Sequence, residues 1–269
     1  MDRGAGRRDV STPLTRTAPY SALAEVYDRW MAADRVPYEE WLAFITRRFA
    51  EAPRQVRRVL DLCCGTGTTI RGLQDAGYEV AGVDASPQML DVARSRARPG
   101  TRLLRIRLPD ERLLRLGRFD ATLMCFDSAN YLSGPGDLAA VLRHVAALLN
   151  PGGVLVFDLS TRLSFEAIAA RGEFDEELDD FSYRWSTRSR PGTEHYEFEV
   201  TLTVPGRRAT EVHHQRWFAR DEVEQELAAA GFTAVSVHDN YTDAPWNPAT
   251  RRDTWSARSA VDCRGEATP

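Results

Sequence analysis

The stretch Val59-Leu60-Asp61-Leu62-Cys63-Cys64-Gly65-Thr66-Gly67-Thr68-Thr69 decides how this 269-residue chain is read. An apolar run enters from Arg57 and Arg58, meets an acid at Asp61, and ends in a Gly-x-Gly pair at Gly65 and Gly67. A helical pattern follows from about Thr68 to Ala76, and Gly77 stops it as a left-handed C-terminal residue would. A buried strand, a tight turn and a helix N-terminus in that order make a site for a nucleotide-like ligand.

Outward from this core the pattern repeats. Glu79–Val83 reads as a second strand ending in Asp84, and Ser86-Pro87 caps a helix running to Ala97. Leu103–Leu108, Phe119–Phe126 and Val154–Leu159 read as further strands, with a helix over Asp137–Leu149. Upstream, Tyr20–Trp30 and Tyr38–Ala50 have helical spacing, and Trp41 is expected in the core. Strands alternating with helices predict an α/β fold with helices on both faces of a parallel sheet. Beyond it the spacing changes. Phe181–Arg188, His195–Val204 and Thr210–Phe218 alternate apolar and polar residues between Pro-Gly dipeptides, the mark of an antiparallel meander. A helix over Asp221–Ala230 and two last strands, Phe232–Asn240 and Thr254–Val261, follow. The expectation is a doubly wound, mostly parallel seven-stranded sheet with an inserted three-strand meander. One domain over residues 18–261 would carry that insert at about 175–219, between a disordered leader (1–17) and a tail (262–269).

Bulk properties exclude several classes. A formal net charge of -4 gives no electrostatic reason to expect a nucleic acid or an anionic membrane. No apolar run approaches the ~20 residues needed to span a bilayer. The four cysteines (Cys63, Cys64, Cys125, Cys263) lack metal-ligand spacing, and the adjacent pair in a strand-turn fits reduced thiols in a cytoplasm. No metal is expected, because His213-His214 cannot both point from one strand face and no Cys or acidic cluster joins them. Oligomeric state is not legible.

The loop itself separates two ligand classes. A dinucleotide fingerprint needs a third glycine, where this chain has Ile70. Asp61, four residues before Gly65, would repel a pyrophosphate but favour the cationic sulfonium and amino group of S-adenosyl-L-methionine. Asp84 ends the second strand, where a carboxylate can accept from both ribose hydroxyls. Asp110 follows the third strand and could accept from an adenine amino group, and a polar, aromatic loop, Cys125–Tyr131, follows the fourth.

With these residues the chain resembles the class I S-adenosylmethionine-dependent methyltransferases. Val59–Gly67 matches their first motif, with Cys63 where glycine or alanine is usual, and Val80–Leu90 matches the second-strand motif. Asp110-Glu111-Arg112 resembles the Asp-Met-Arg of small-molecule members, and Phe119–Leu132 their fourth strand and loop. The aromatic N-terminal lead and the insert resemble glycine N-methyltransferase and the amino-sugar N,N-dimethyltransferases. The matched motifs place Asp61, Cys63, Gly65, Thr66, Gly67, Asp84, Ala85, Met89, Asp110 and Glu111 at the cofactor. The resemblance further implies that Tyr20 and Tyr27 contact the cofactor, that Cys125 offers it a backbone carbonyl, and that Tyr131 lies nearby.

Methyl transfer from a sulfonium disperses charge, so alignment and water exclusion matter more than a strong base. A neutral amine attacks unaided; a hydroxyl needs its proton removed. The expected reaction is methylation of a small-molecule acceptor at nitrogen, with oxygen as the lesser choice. His214 and Tyr131 are the candidate catalytic residues, and Trp30, Tyr183, Trp185, Arg216 and Tyr241 the candidate acceptor contacts. Two alternatives stay open: a methyltransferase-fold cyclase or ligand sensor that transfers no methyl group, and a dinucleotide-dependent reductase.

Overall fold

A computed structural model of the chain describes residues 13–189 and 192–260. It begins with β1 (Leu14–Thr17), a 3-10 turn at Leu23–Glu25, α1 (Tyr27–Ala33) and α2 (Tyr38–Ala50). The doubly wound portion follows: β2 (Arg58–Leu62), α3 (Thr68–Asp75), β3 (Glu79–Asp84), α4 (Pro87–Arg96), β4 (Leu103–Arg105), β5 (Phe119–Met124), α5 (Asp137–Leu148) and β6 (Leu149–Ser160). Next come α6 (Arg162–Arg171), β7 (Glu173–Glu177), β8 (Ser182–Thr187), β9 (His195–Val204) and β10 (Arg207–Arg216). The described chain closes with α7 (Arg220–Ala229), β11 (Phe232–Asp239) and β12 (Arg252–Ser259).

Seven strands form one sheet in the order β11-β12-β6-β5-β2-β3-β4, parallel except where β12 runs against both neighbours. The expected fold class stands. The winding reverses at β2, which pairs β3 on one side and β5 on the other, and that switch point opens a crevice at the carboxyl ends of the strands. Leu60, Leu62, Phe157 and Trp255 bury one face under α5 and α7; Val59, Ile70, Leu123 and Val156 bury the other with Phe44 and Ile45 of α2.

The missing third glycine has a structural counterpart. Ile70 on α3 is fully buried, and a β-carbon added at Gly82 on β3 would stand 2.6 Å from its Cδ1. The close approach of helix and sheet that a dinucleotide motif obtains from a helix glycine is obtained here from a strand glycine.

The second sheet differs in part from expectation. It has five strands in the order β1-β10-β9-β8-β7, so the antiparallel meander gains β7 and is flanked by β1, which runs parallel to β10. Leu14–Thr17, expected in a disordered leader, is therefore a strand: alternate backbone groups pair with Arg208–Glu211, a partnership no local signal announces. Residues 1–12, the expected tail at 262–269 and Cys263 lie outside the described residues. The third strand is also shorter than expected, stopping at Arg105 before Pro109. Residues 22–26 and Trp30 pack on one face of the second sheet against Tyr183, Val200 and Leu202, and Phe165 of α6 covers the same face further along, with Tyr196 and Phe198.

Candidate active site

The carboxyl ends of β2, β3, β4 and β5 floor a cavity of about 540 Å³, and residues 18–21, Tyr27, α2 and β10 roof it. Of the residues expected at a cofactor, Tyr20, Tyr27, Asp61, Cys63, Gly65, Thr66, Asp84, Ala85, Met89 and Cys125 all line it, as do Tyr131 and His214.

The floor is held by local backbone geometry. Gly65 (φ +52°) and Gly67 (φ +78°) turn the chain from β2 into α3, and a β-carbon at Gly67 would lie 3.1 Å from the Ala93 Cβ. Gly67 thus shapes the loop without lining the cavity. Cys63 has φ +59°, left-handed for a residue with a β-carbon, at a strain of roughly 1–2 kcal/mol. That conformation gives a physical reason for glycine, one of the two residues usual at this place in the resembled motif. The Asp84 carboxylate spans the turn: Gly65 N–H donates to Oδ2 at 2.9 Å and Ser86 N–H to Oδ1 at 2.8 Å. Ser86 Oγ caps α4 through Met89 N and donates to the Tyr20 carbonyl at 2.9 Å, tying floor to roof.

Asp61 is 2 % exposed, and its Oδ2 has no hydrogen-bond partner within the protein. Burial, then the charge of Asp84, pushes its pKa up to about 8. Burial likewise raises Asp84 despite its backbone donors, and raises the thiols of Cys63, Cys64 and Cys125, which stay protonated. A buried acid pair with a free carboxylate oxygen on a cavity wall suits a cation, and repels a pyrophosphate.

The roof is aromatic and joined over long sequence distances. The Tyr20 and Tyr131 hydroxyls lie 2.8 Å apart, and the Tyr131 hydroxyl lies 2.8 Å from His213 Nδ1. His213 Nε2 faces Glu211 Oε2 at 3.3 Å. Glu211, 1 % exposed, accepts from Tyr20 N at 2.6 Å, Ala22 N at 2.6 Å and Leu23 N at 3.0 Å. The N-terminal segment is thereby pinned to β10. Burial holds both tyrosine hydroxyls well above their ordinary pKa, so they keep their protons.

Floor and roof meet at a buried charge cluster. Phe126 and Asp127 are consecutive left-handed residues (φ +63° and +47°), held by Asp127 N–H donating to Asp158 Oδ2 at 2.8 Å. Arg252 pairs with both Asp127 and Asp158 and lies over the rings of Trp41 and Phe126, at 5.4 and 5.1 Å. Tyr241 donates to Asp158 Oδ1 at 2.6 Å and stacks on Trp41 at 4.6 Å. Trp41 and Phe126 both line the cavity, so Arg252 and Asp158 set two of its walls.

Several expected positions fall elsewhere. Asp110 and Glu111 lie off the cavity; Asp110 caps the following 3-10 turn through Arg112 N and binds the Arg112 guanidinium at 2.7 Å. Arg107 and Leu108 line that side instead, because the chain turns outward at Pro109. All five expected acceptor contacts also lie off the lining. Trp30 packs on Tyr183 and Trp185 (4.7 and 6.4 Å) inside the second sheet's core, and Arg216 is taken by Glu194 and Glu222. Tyr241 is spent on Asp158. Of the histidine pair, His214 touches the cavity with its side chain 63 % exposed, and His213 is the buried, hydrogen-bonded member. Glu211, Asp127, Asp158 and Arg252 were missed. Their signal, charged residues within apolar-polar strands and loops, does not distinguish a buried charge from a solvated face.

This geometry meets the comparisons with known proteins. The family model described as a methyltransferase domain matches residues 27–237, most of the chain. The chain belongs to that family. The resemblance read from the sequence holds, the protein is a methyltransferase, and S-adenosylmethionine is its methyl donor. The reductase alternative falls with this. The dTDP-3-amino-3,6-dideoxy-alpha-D-glucopyranose N,N-dimethyltransferase of Streptomyces fradiae is 30% identical over 226 residues, covering 80% of this chain and 86% of its own. YqeM of Bacillus subtilis (strain 168) is 28% identical over 246 residues, covering 90% and 97%. Among solved structures, DesVI of Streptomyces venezuelae superposes with a TM-score of 0.68 at 27% identity, over 88% of this chain and 98% of its own. No helix among the described residues is long and apolar enough to cross a membrane.

Proposed function

We propose that this methyltransferase acts on the nitrogen of a small-molecule amine bound beneath the second sheet. The observation that carries this reading is the roof: paired Tyr20 and Tyr131 hydroxyls among aromatic walls, above a floor whose buried acids suit a cation. The amino-sugar dimethyltransferase at 30% identity supports nitrogen as the target.

When bound, S-adenosylmethionine supplies an electrophilic methyl group on a positively charged sulfur. Asp84 is placed to accept from ribose hydroxyls with the lone pairs its backbone donors leave free, and Asp61 to balance the donor's positive charge. Met89 and Leu108 flank the space for the base. Tyr27, Trp41 and Phe126 exclude water and present ring faces, which attract cations. Tyr20 and Tyr131 orient the incoming amine. No residue need remove a proton before attack, which fits hydroxyls that burial keeps protonated. We place the enzyme in the cytoplasm, in keeping with the unpaired thiols of Cys63, Cys64 and Cys125.

The test is incubation with methyl-labelled S-adenosylmethionine and pools of amine and hydroxyl acceptors, amino sugars among them, with mass spectrometry of the products. Label on nitrogen with equimolar S-adenosylhomocysteine is expected. Label on oxygen would overturn the choice of nitrogen, and binding without turnover would return the protein to cyclisation or ligand sensing.

A further inference from the structure

The Tyr20–Tyr131–His213–Glu211 chain has a direction, and that direction bears on which acceptors the site admits. Both Glu211 oxygens accept backbone N–H groups, Oε1 from Ala22 and Leu23 and Oε2 from Tyr20. Glu211 therefore faces His213 Nε2 as an acceptor-only group 3.3 Å away, a contact outside hydrogen-bond geometry, and a ring lone pair there would meet a carboxylate. In the neutral imidazole the proton belongs on Nε2, so Nδ1 is left as the acceptor. The contact at Nδ1 is the Tyr131 hydroxyl at 2.8 Å, which must be the donor. Tyr131 has one proton and has spent it, so at the 2.8 Å contact between the two tyrosines Tyr20 donates. Every hydroxyl proton points away from the cavity along the chain. What remains toward the cavity is oxygen lone pairs.

We infer that Tyr20 and Tyr131 meet the methyl acceptor as hydrogen-bond acceptors only, their polarity set by His213 and Glu211 buried behind them, and so select amines that bring N–H donors. A primary amine can give one N–H to each oxygen and keep its lone pair for the methyl group; a hydroxyl brings a single donor, and a tertiary amine none. His213 and Glu211 are positioning residues in this arrangement, and Tyr131 is the contact. The inference deepens the nitrogen-methylation reading and rests on it for the acceptor.

The polarity is tested without any acceptor. Full-length protein with 15N-labelled histidine, saturated with S-adenosylhomocysteine, is examined by long-range proton–nitrogen correlation at neutral pH. The His213 signals are assigned by their loss in His213→Asn or, should that variant not fold, by their shift in Tyr131→Phe. The expected result is a neutral ring with its proton on Nε2 and a hydrogen-bonded, unprotonated Nδ1. A proton on Nδ1, alone or with one on Nε2, overturns the inference. A second arm uses the amine identified by labelled-product screening. Tyr131→Phe should raise its KM at least tenfold with a smaller change in kcat, and an unchanged KM overturns the inference. A wrong tautomer leaves nitrogen methylation standing, whereas an O-methylated product removes that reading whatever the tautomer.

Discussion

The floor and the roof of the cavity are built in opposite ways. The floor is local: Asp61, Gly65, Asp84 and Ser86 lie within one strand-turn-helix unit and its successor, and backbone N–H groups lock the Asp84 carboxylate in place. The roof is assembled from a distance: Glu211 holds Tyr20 across 191 residues of sequence, and Tyr131 reaches His213 across 82. Recognition of the methyl donor can be fixed by a short local unit, while the acceptor pocket depends on elements that meet only after folding. The two halves share one junction, where Arg252 and Asp158 hold Trp41, Phe126 and Asp127.

Substitutions can pull these halves apart. The largest effect should come from the junction. Arg252→Met leaves Asp127 and Asp158 buried without their counter-charge, a loss of about 3–5 kcal/mol of stability by denaturant titration. A change within experimental error would show that the cluster is solvated and holds nothing. Next is the roof's pin. Glu211→Ala strands three backbone donors and should cost roughly 1–3 kcal/mol while leaving the floor intact. Equal loss of melting temperature in Glu211→Ala and Glu211→Gln would point to the charge, not the hydrogen bonds, as the pin. On the floor, Asp84→Ala should weaken S-adenosylmethionine binding more than tenfold, about 1.4 kcal/mol or more, by calorimetry. An unchanged dissociation constant contradicts the ribose assignment. The smallest effect belongs to Asp110→Ala. Its carboxylate is occupied by Arg112 off the cavity, so affinity should move less than about twofold, within ordinary surface-substitution effects.

The same contrast explains what was legible in the sequence. Periodicity and turn residues located α2, β2, β3 and the capped start of α4 to within a residue or so, because those signals are local. The acids Asp61 and Asp84 could be read because they terminate strands at one sheet edge. Asp110 could not, because proline just before it turns the chain out and a neighbouring arginine captures the carboxylate. Aromatic residues on the second sheet and the helix against it, such as Tyr183, Trp185 and Trp30, have the same pattern whether they bind a ligand or pack together, and here they pack. β1 depends wholly on a partner nearly two hundred residues away. His213 and His214 alternate across a strand, and nothing in the alternation says which face the fold will cover; the N-terminal segment covers His213.

The central claim is that the floor receives a cation beside Asp61, and proton linkage tests it most directly. Burial and Asp84 keep Asp61 protonated up to about pH 8 in the free protein. Folding alone therefore favours low pH: between the ordinary carboxylate pKa and about 8 the native state holds a proton that the unfolded chain has lost, so stability falls as pH rises through this window. A cation seated beside Asp61 favours its charged form, so binding must expel that proton. Titration calorimetry with S-adenosylmethionine, in buffers of different ionisation enthalpy at about pH 6.5, should report release of about one proton per cofactor bound in the native protein and none in Asp61→Asn. Binding with no proton release in the native protein, or with equal release in both, would contradict the placement of the donor's positive charge at Asp61.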